Sequence, residues 1–400
     1  MAFVDYLRRA YRIPYRGLAG KFNVRRTRSR KSGESGSPSS LDSNIASNDP
    51  PCCPTTELPL DIHILIIEWV FRLSQHMLID HTTLRACALV CRAWTPAAQR
   101  LLFRRIRCTS LHDSQCNIQL LVSTLGIRPH LAAHVRCIYL TWPTYPREYV
   151  DVCIRLLELC RHVEGVSFLR WGASNFTTSS TELDARLHAI QLKPVVLDVD
   201  GILDHTVSSS IARMCPGPRV LVLTANHDYP LPPTLEALEI LGDRAHGCLS
   251  HSHPLPALRY LCLMSPSWPG PLDRHLISTG ILPHLQSLHI RGIFPPPEIL
   301  DQLAQLRTLV VSALSRKHVD LPRSLRYFGY HAWGVPPDAR SELVVGMLRA
   351  LPGLQLVTVT RDVERHVRIA LERMCHDIGV DFGIYETPFH FQEPRHIDWI

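Results

Sequence analysis

The sequence predicts an α/β protein, with a small three-helix N-terminal module followed by an irregular solenoid whose strands share one parallel sheet. Three observations predict it. The pattern apolar-x-x-apolar-x-apolar recurs ten times between residues 135 and 359. Segments of helical periodicity lie between many of the copies. Ahead of them, residues 58–103 carry three short amphipathic segments.

Residues 1–56 read as a basic arm and linker. Residues 1–32 hold ten Arg and Lys against Asp5 alone, a charge of +9, which leaves −2 of the total +7 for residues 33–400. The body therefore has no basic stripe for nucleic acid. Residues 32–56 are rich in Ser, Gly, Pro and Asn, as flexible linkers are. Three readings of the arm compete. It is a solvated disordered segment, a nuclear-localisation patch centred on Arg25-Arg26-Thr27-Arg28-Ser29-Arg30-Lys31, or an Arg-rich presequence. Pro14 interrupts the amphipathic helix that a presequence needs. Met1 to Gly20 has no continuous apolar run of the secretory kind, and no run of about 18 uncharged apolar residues occurs, so no membrane span is expected.

Residues 57–107 form the helical module. Pro59 suits the first turn of a helix, where its missing N–H would be unpaired anyway. Ile62, Leu65, Ile66, Trp69 and Val70 recur at helical spacing and make one broad apolar face. Asp61 complements the positive end of the helix. A polar insert then ends in Thr82-Thr83, good N-capping residues. The second helix presents Leu84, Cys87, Ala88 and Cys91, with Trp94 seven residues after Cys87. Pro96 restarts the chain, and Ala97 to Ile106 carries Leu101, Leu102 and Phe103 among arginines. So short a module either packs on the rest of the chain as an ordinary subdomain or leaves apolar surface for a partner.

Residues 108–365 carry the repeat. Its copies are Val135/Ile138/Leu140, Val163/Val166/Phe168, Leu192/Val195/Leu197, Pro218/Leu221/Leu223, Leu235/Leu238/Ile240, Leu258/Leu261/Leu263, Leu285/Leu288/Ile290, Leu306/Leu309/Val311, Leu325/Phe328/Tyr330 and Leu354/Val357/Val359. Between them Val152/Leu156/Leu159/Cys160, Leu183/Leu187/Ile190, Ile299/Leu300/Leu303/Leu306 and Leu343/Val344/Met347/Leu348/Leu351 fit helices. Side chains alternate along a strand, so the residue between the two strand apolars faces away from the core. Those residues are Tyr139, Ser167, Val196, Val222, Glu239, Cys262, His289, Val310, Gly329 and Thr358. A surface so mixed suits a protein or peptide target. A compact α/β domain with shuffled strand order is the competing architecture. Residues 366–400 read as a C-terminal cap and tail.

The module's order of residues resembles the F-box: Leu58-Pro59, the acidic Asp61, Ile62, the pair Ile66-Ile67, and Val90-Cys91-Arg92-Ala93-Trp94 after a polar insert. That insert is longer than usual, and Phe103 stands where a second tryptophan is common. The repeat is similar to degenerate leucine-rich repeats, although the Asn that usually follows the strand is missing from almost every copy. Together these resemblances imply a substrate-recognition adaptor of an SCF-type ubiquitin ligase, acting in ubiquitin-dependent protein degradation. They imply a Skp-type adaptor and cullin complex as partners, with Leu58, Pro59, Ile62, Ile66, Leu84, Val90, Cys91 and Trp94 as adaptor-contact or supporting residues. They also imply an unidentified protein substrate, with Tyr139, Ser167, Glu239, His289 and Thr358 facing it, and a cytoplasmic or nuclear location.

Catalytic readings are weaker. Val195-Val196-Leu197-Asp198-Val199-Asp200-Gly201 resembles the nucleophile loop of haloacid-dehalogenase-like phosphatases, with Asp198 as nucleophile, Asp200 as acid and Asp243 as a later carboxylate. No Lys lies between 201 and 243 to neutralise phosphoryl charge, and Ile202 replaces the usual Thr. His251-Ser252-His253 lacks a third metal ligand, and Cys52-Cys53 lacks zinc-site spacing. Thirteen scattered cysteines read as free buried thiols rather than a disulfide framework. No cofactor, metal or catalytic residue is expected. A non-ligase F-box-like scaffold is the remaining alternative.

Overall fold

In six copies of the apolar pattern a tight turn runs into the strand, and the anchoring residue closes it by donating its N–H to the carbonyl three residues back. Val135 bonds Ala132, Leu235 bonds Pro232, Leu258 bonds Leu255, Leu285 bonds Leu282, Leu306 bonds Leu303 and Leu325 bonds Pro322. This is why proline precedes many anchors: it presets the turn and supplies a carbonyl without needing a partner for an N–H.

The computed structural model describes residues 61–385 except 63, 69–80, 91, 109–114, 142–146, 170–179, 201–204, 225–228, 242–248, 250–253, 265–275, 278–279, 291–293, 313–318, 331–340 and 362. The strands are β1 Arg105–Cys108, β2 Cys137–Thr141, β3 Gly165–Leu169, β4 Val196–Asp200, β5 Val220–Thr224 and β6 Ala237–Leu241. They continue as β7 Tyr260–Met264, β8 Ser287–Ile290, β9 Thr308–Val311, β10 Tyr327–Tyr330, β11 Leu356–Thr360 and β12 Asp381–Tyr385. They form a single twelve-stranded sheet in chain order, and every pairing is parallel. The ten predicted copies become β2 to β11. The shuffled order of a compact α/β domain does not occur.

One backbone device sets the register. The residue leading into each strand offers a carbonyl that accepts two successive N–H groups from the next unit. Arg136 O takes the N–H groups of Glu164 and Gly165 at 2.8 and 2.9 Å, and the same pairing recurs at Glu164, Val195, Arg219, Glu236, Arg259, Gln286, Arg307 and Arg326. Both lone pairs of each carbonyl are thereby used.

The register corrects one copy. Leu197, not Val195, lies beside Val166 of β3 and Leu221 of β5, so this copy reads Leu192/Leu197/Val199. Val195 is instead the lead-in residue. The outward position on β4 therefore belongs to Asp198 rather than Val196. The two frames differ by one full strand period, so the outward face is the same in both; the unbroken apolar run at 195–197 fits either frame, and Pro194 stretches the gap after the anchor.

One face of the sheet is the core. Ile138, Val166, Leu197, Leu221, Leu238, Leu261, Leu288, Leu309, Phe328 and Val357 form one inward column, with Leu140, Phe168, Val199, Leu223, Ile240, Leu263, Ile290, Val311, Tyr330 and Val359 two residues on. Helices Arg147–Leu159, Ser180–Ile190, His205–Met214, Ser341–Arg349 and Arg365–Ile378 contribute buried residues to the same cluster. The pattern Ile299 to Leu306 gives only a four-residue helix, Pro297–Leu300. Its later leucines enter the turn before β9, where Leu306 is the anchor. Helix Arg365–Ile378 ends on Gly379, whose left-handed φ of 68° lets the chain turn into β12.

The N-terminal module has its own small core. Helix His81–Val90 starts just before the predicted capping threonines, and helix Thr95–Arg104 follows. Ile67, Leu84, Cys87, Ala98 and Leu101 are buried together, with Trp94 packed against them. Thr95 Oγ1 donates to Ala88 O at 2.9 Å and ties the two helices. The third segment is helical only to Arg104, and Arg105 opens β1.

The alternation of faces is testable. Leu238 is fully buried and Val222, on the next strand, faces the other side. We expect Leu238→Ala to cost about 2–5 kcal/mol in denaturant unfolding and Val222→Ala under about 1 kcal/mol. Equal losses would contradict the assignment of faces.

Candidate functional site

The face opposite the core carries one row of side chains in register across the sheet. From β1 it begins Arg107, Tyr139, Ser167, Asp198, Val222 and Glu239. It continues Cys262, His289, Val310, Gly329 and Thr358. The residues expected to face a substrate, Tyr139, Ser167, Glu239, His289 and Thr358, all lie in this row. Asp198 joins them through the corrected register.

Polar contacts link neighbours along the row. The Arg107 guanidinium lies 5.2 Å from the Tyr139 ring centre, within cation–π range. Ser167 Oγ donates to Asp198 Oδ2 at 2.7 Å. A tyrosine two residues before the row reaches diagonally to the next strand twice. Tyr260 of β7 meets His289 Nδ1 at 3.2 Å, with the rings edge to face and 4.9 Å apart. Tyr327 of β10 meets Thr358 Oγ1 at 2.6 Å.

Glu239 is the anomaly. It is only 5% exposed, and its Oε2 has no hydrogen-bond partner. A carboxylate left so is costly unless it holds its proton or finds a cation. Burial, and then the negative charge of Asp198, push its pKa well above 4.5. Cys262 beside it is also buried. Burial and Glu239 hold its thiol well above the usual range, so it is no ready nucleophile. Burial, followed by Cys262 and Glu239, likewise raises the Tyr260 phenol. The centre of the face thus presents acids, a thiol, a phenol and an imidazole in one patch, suited to hydrogen-bonding and cation recognition.

Asp198 sits in mid-strand with Ser167 and Val222 as register partners. A phosphoryl-accepting aspartate belongs instead at the carboxyl end of its strand, where a ligand can meet it. Among the described residues no group of three or more His, Cys, Asp or Glu is arranged to hold a metal. His251, His253, Asp243 and Cys52-Cys53 lie outside the described residues. The described cysteines are free and buried, and burial pushes the Cys108, Cys160 and Cys215 thiols up to about 12.

The expected adaptor-contact residues divide. Ile62 and Ile66 are exposed, Leu84 is core and Trp94 is partly buried. Leu58, Pro59 and Cys91 lie outside the described residues, as does the side chain of Val90. The first helix buries Ile67, whereas Ile62, Leu65 and Ile66 are 39%, 59% and 37% exposed, and Leu89 of the next helix is 86% exposed. The described part of the apolar face read from the sequence, Ile62, Leu65 and Ile66, therefore points away from the module's own core, and Trp69 and Val70 lie outside the described residues. Among the described residues no helix is long and apolar enough to cross a membrane. No family model matches the chain, and neither does any curated protein.

The raised pKa of Glu239 has a definite sign. The folded chain keeps this proton where the unfolded chain releases it, so the contribution to stability is complete below pH 4.5 and is lost as pH rises through the folded value. Glu239→Gln should therefore raise the thermal midpoint at about pH 8 and flatten its decline from about pH 5 upward. A lower midpoint at pH 8, with the decline unchanged, would show that the carboxylate is paired.

Proposed function

We propose that the chain is a substrate-recognition adaptor of an SCF-type ubiquitin ligase. Residues 57–107 act as an F-box that docks a Skp-type adaptor and through it a cullin. The leucine-rich-repeat-like sheet offers its open face to a protein substrate. The observation that carries the reading is the outward apolar face of the first module helix, Ile62, Leu65 and Ile66, beside a core of only a few buried side chains. Apolar side chains grouped on a helix this small are stabilised when a partner helix covers them. The order Leu58-Pro59 to Trp94 supports the same partner, because its residue types follow the F-box pattern.

In this reading the chain binds and its partners transfer ubiquitin. The open row supports a target surface of mixed character: one cationic end at Arg107, acids at Asp198 and Glu239, and aromatic rings at Tyr139, Tyr260 and Tyr327. A scaffold outside any ligase would hold the adaptor equally well but would not bring a cullin with it.

Ile66→Asp separates docking from folding. Ile66 is exposed in the free chain, so the thermal midpoint should stay within a few degrees, while a charge buried at the interface costs several kcal/mol. Co-purification of the Skp-type adaptor and cullin should fall at least about tenfold. Undiminished recovery of both would sink the F-box assignment, and recovery of the adaptor without cullin from the wild type would favour the scaffold.

A further inference from the structure

The lead-in residues whose carbonyls set the register also carry side chains, and these line the edge of the sheet where the strands begin. Along its first half the cations in this row are paired. Arg136 lies 3.3 Å from Glu164, and Arg219 grips Glu236 with two bonds of 2.6 and 2.7 Å. Beyond Glu236 the row contains no acid: Arg259, Gln286, Arg307, Arg326, Gln355. Arg259 donates to the carbonyls of Pro256 and Leu258. The side chains of Arg307 and Arg326, which lead into the adjacent strands β9 and β10, have no hydrogen-bond or ion-pair partner among the described residues.

An open groove of about 450 Å³ lies here, lined by Gln286, Gln305, Arg307, Ser324, Arg326 and Gln355. Its walls are rich in donors: two guanidinium forks and three amides. Neighbouring strands set the two arginines about 4.8 Å apart at their backbones. Ser324 spends its hydroxyl proton on Leu306 O at 2.7 Å, so its oxygen does not compete as a donor. Gly353 makes room for Arg326, since a Cβ at that position would fall 1.3 Å from Arg326 Nη1.

We propose that this groove binds an oxyanion carried on a peptide, either a carboxylate of Asp or Glu or a phosphate. Two guanidiniums in register match the paired oxygens of either group, and the flanking glutamine amides suit a peptide backbone. A nucleic acid is disfavoured, because residues 33–400 carry −2 overall and supply no extended basic field. The site stands apart from the open row and does not depend on the ligase reading.

The test is fluorescence anisotropy on the full chain with three labelled probes: a Glu-rich peptide, a phosphoserine peptide and a single-stranded oligonucleotide. The charge-matched control for the pair Arg307→Gln/Arg326→Gln is Arg25→Gln/Arg26→Gln in the basic arm. We expect at least one peptide to bind saturably, and the groove pair to weaken it about tenfold or more, with the arm pair changing it less than about twofold. Whichever peptide binds more tightly identifies the oxyanion. Gly353→Ala keeps every charge and displaces only the guanidinium, so it should weaken binding severalfold without lowering the thermal midpoint. Absence of saturable peptide binding, equal losses from the two pairs, or an oligonucleotide that binds more tightly and loses equally would each overturn the proposal.

Discussion

One carbonyl per unit holds this sheet in register. The residue leading into each strand accepts two N–H groups from the next unit, from Arg136 through Arg326. A one-residue slip would forfeit both bonds and turn every following side chain to the wrong face. The fixed register has two consequences. It stacks the inward apolars into continuous columns against the helices, and it aligns the outward residues into a row that crosses the whole sheet.

That row is not tuned for stability alone. Glu239 would pack better as an apolar residue, and it sits beside the charge of Asp198 with one oxygen unpaired. Buried polar groups that cost stability concentrate where a protein binds something. Along the face, small buried side chains at Ser167 and Cys262 lie next to large rings at Tyr139 and Tyr260, which gives it relief rather than a flat polar surface. The lead-in row shows the opposite economy: its cations are neutralised by Glu164 and Glu236 at one end, whereas the side chains of Arg307 and Arg326 at the other have no partner among the described residues.

Much of the sheet was legible in the sequence, because an anchor followed by two alternating apolars has only one comfortable pairing: a turn and then a half-buried strand. Legibility failed where that signal blurred. Val195-Val196-Leu197 is apolar at every position and fits two frames one strand period apart, and this put Val196 in the row position that Asp198 occupies on the same face. β1 escaped notice because Ile106 and Cys108 are embedded among arginines, and β12 because Gly383 and Asp381 dilute Phe382 and Ile384. Helix Arg365–Ile378 carries a clear helical signal, with Val367, Leu371, Met374 and Cys375 at i, i+4, i+7 and i+8 all buried, although it was not among the expected helices. In the module, periodicity grouped Ile62, Leu65 and Ile66 on one face but could not say that the core takes Ile67 while those three stay outside. That choice depends on the neighbouring helices. The edge groove was invisible, since its residues are far apart in the chain and meet only through the register.

The central claim is that this outward apolar helix face is a docking surface for a Skp-type adaptor. Isothermal titration calorimetry of the purified full chain with the purified adaptor at several temperatures tests it most directly. The account predicts a one-to-one complex with a negative heat-capacity change, the mark of apolar surface leaving water. Absence of saturable heat at micromolar concentrations, or a complex whose heat-capacity change is zero, would contradict it.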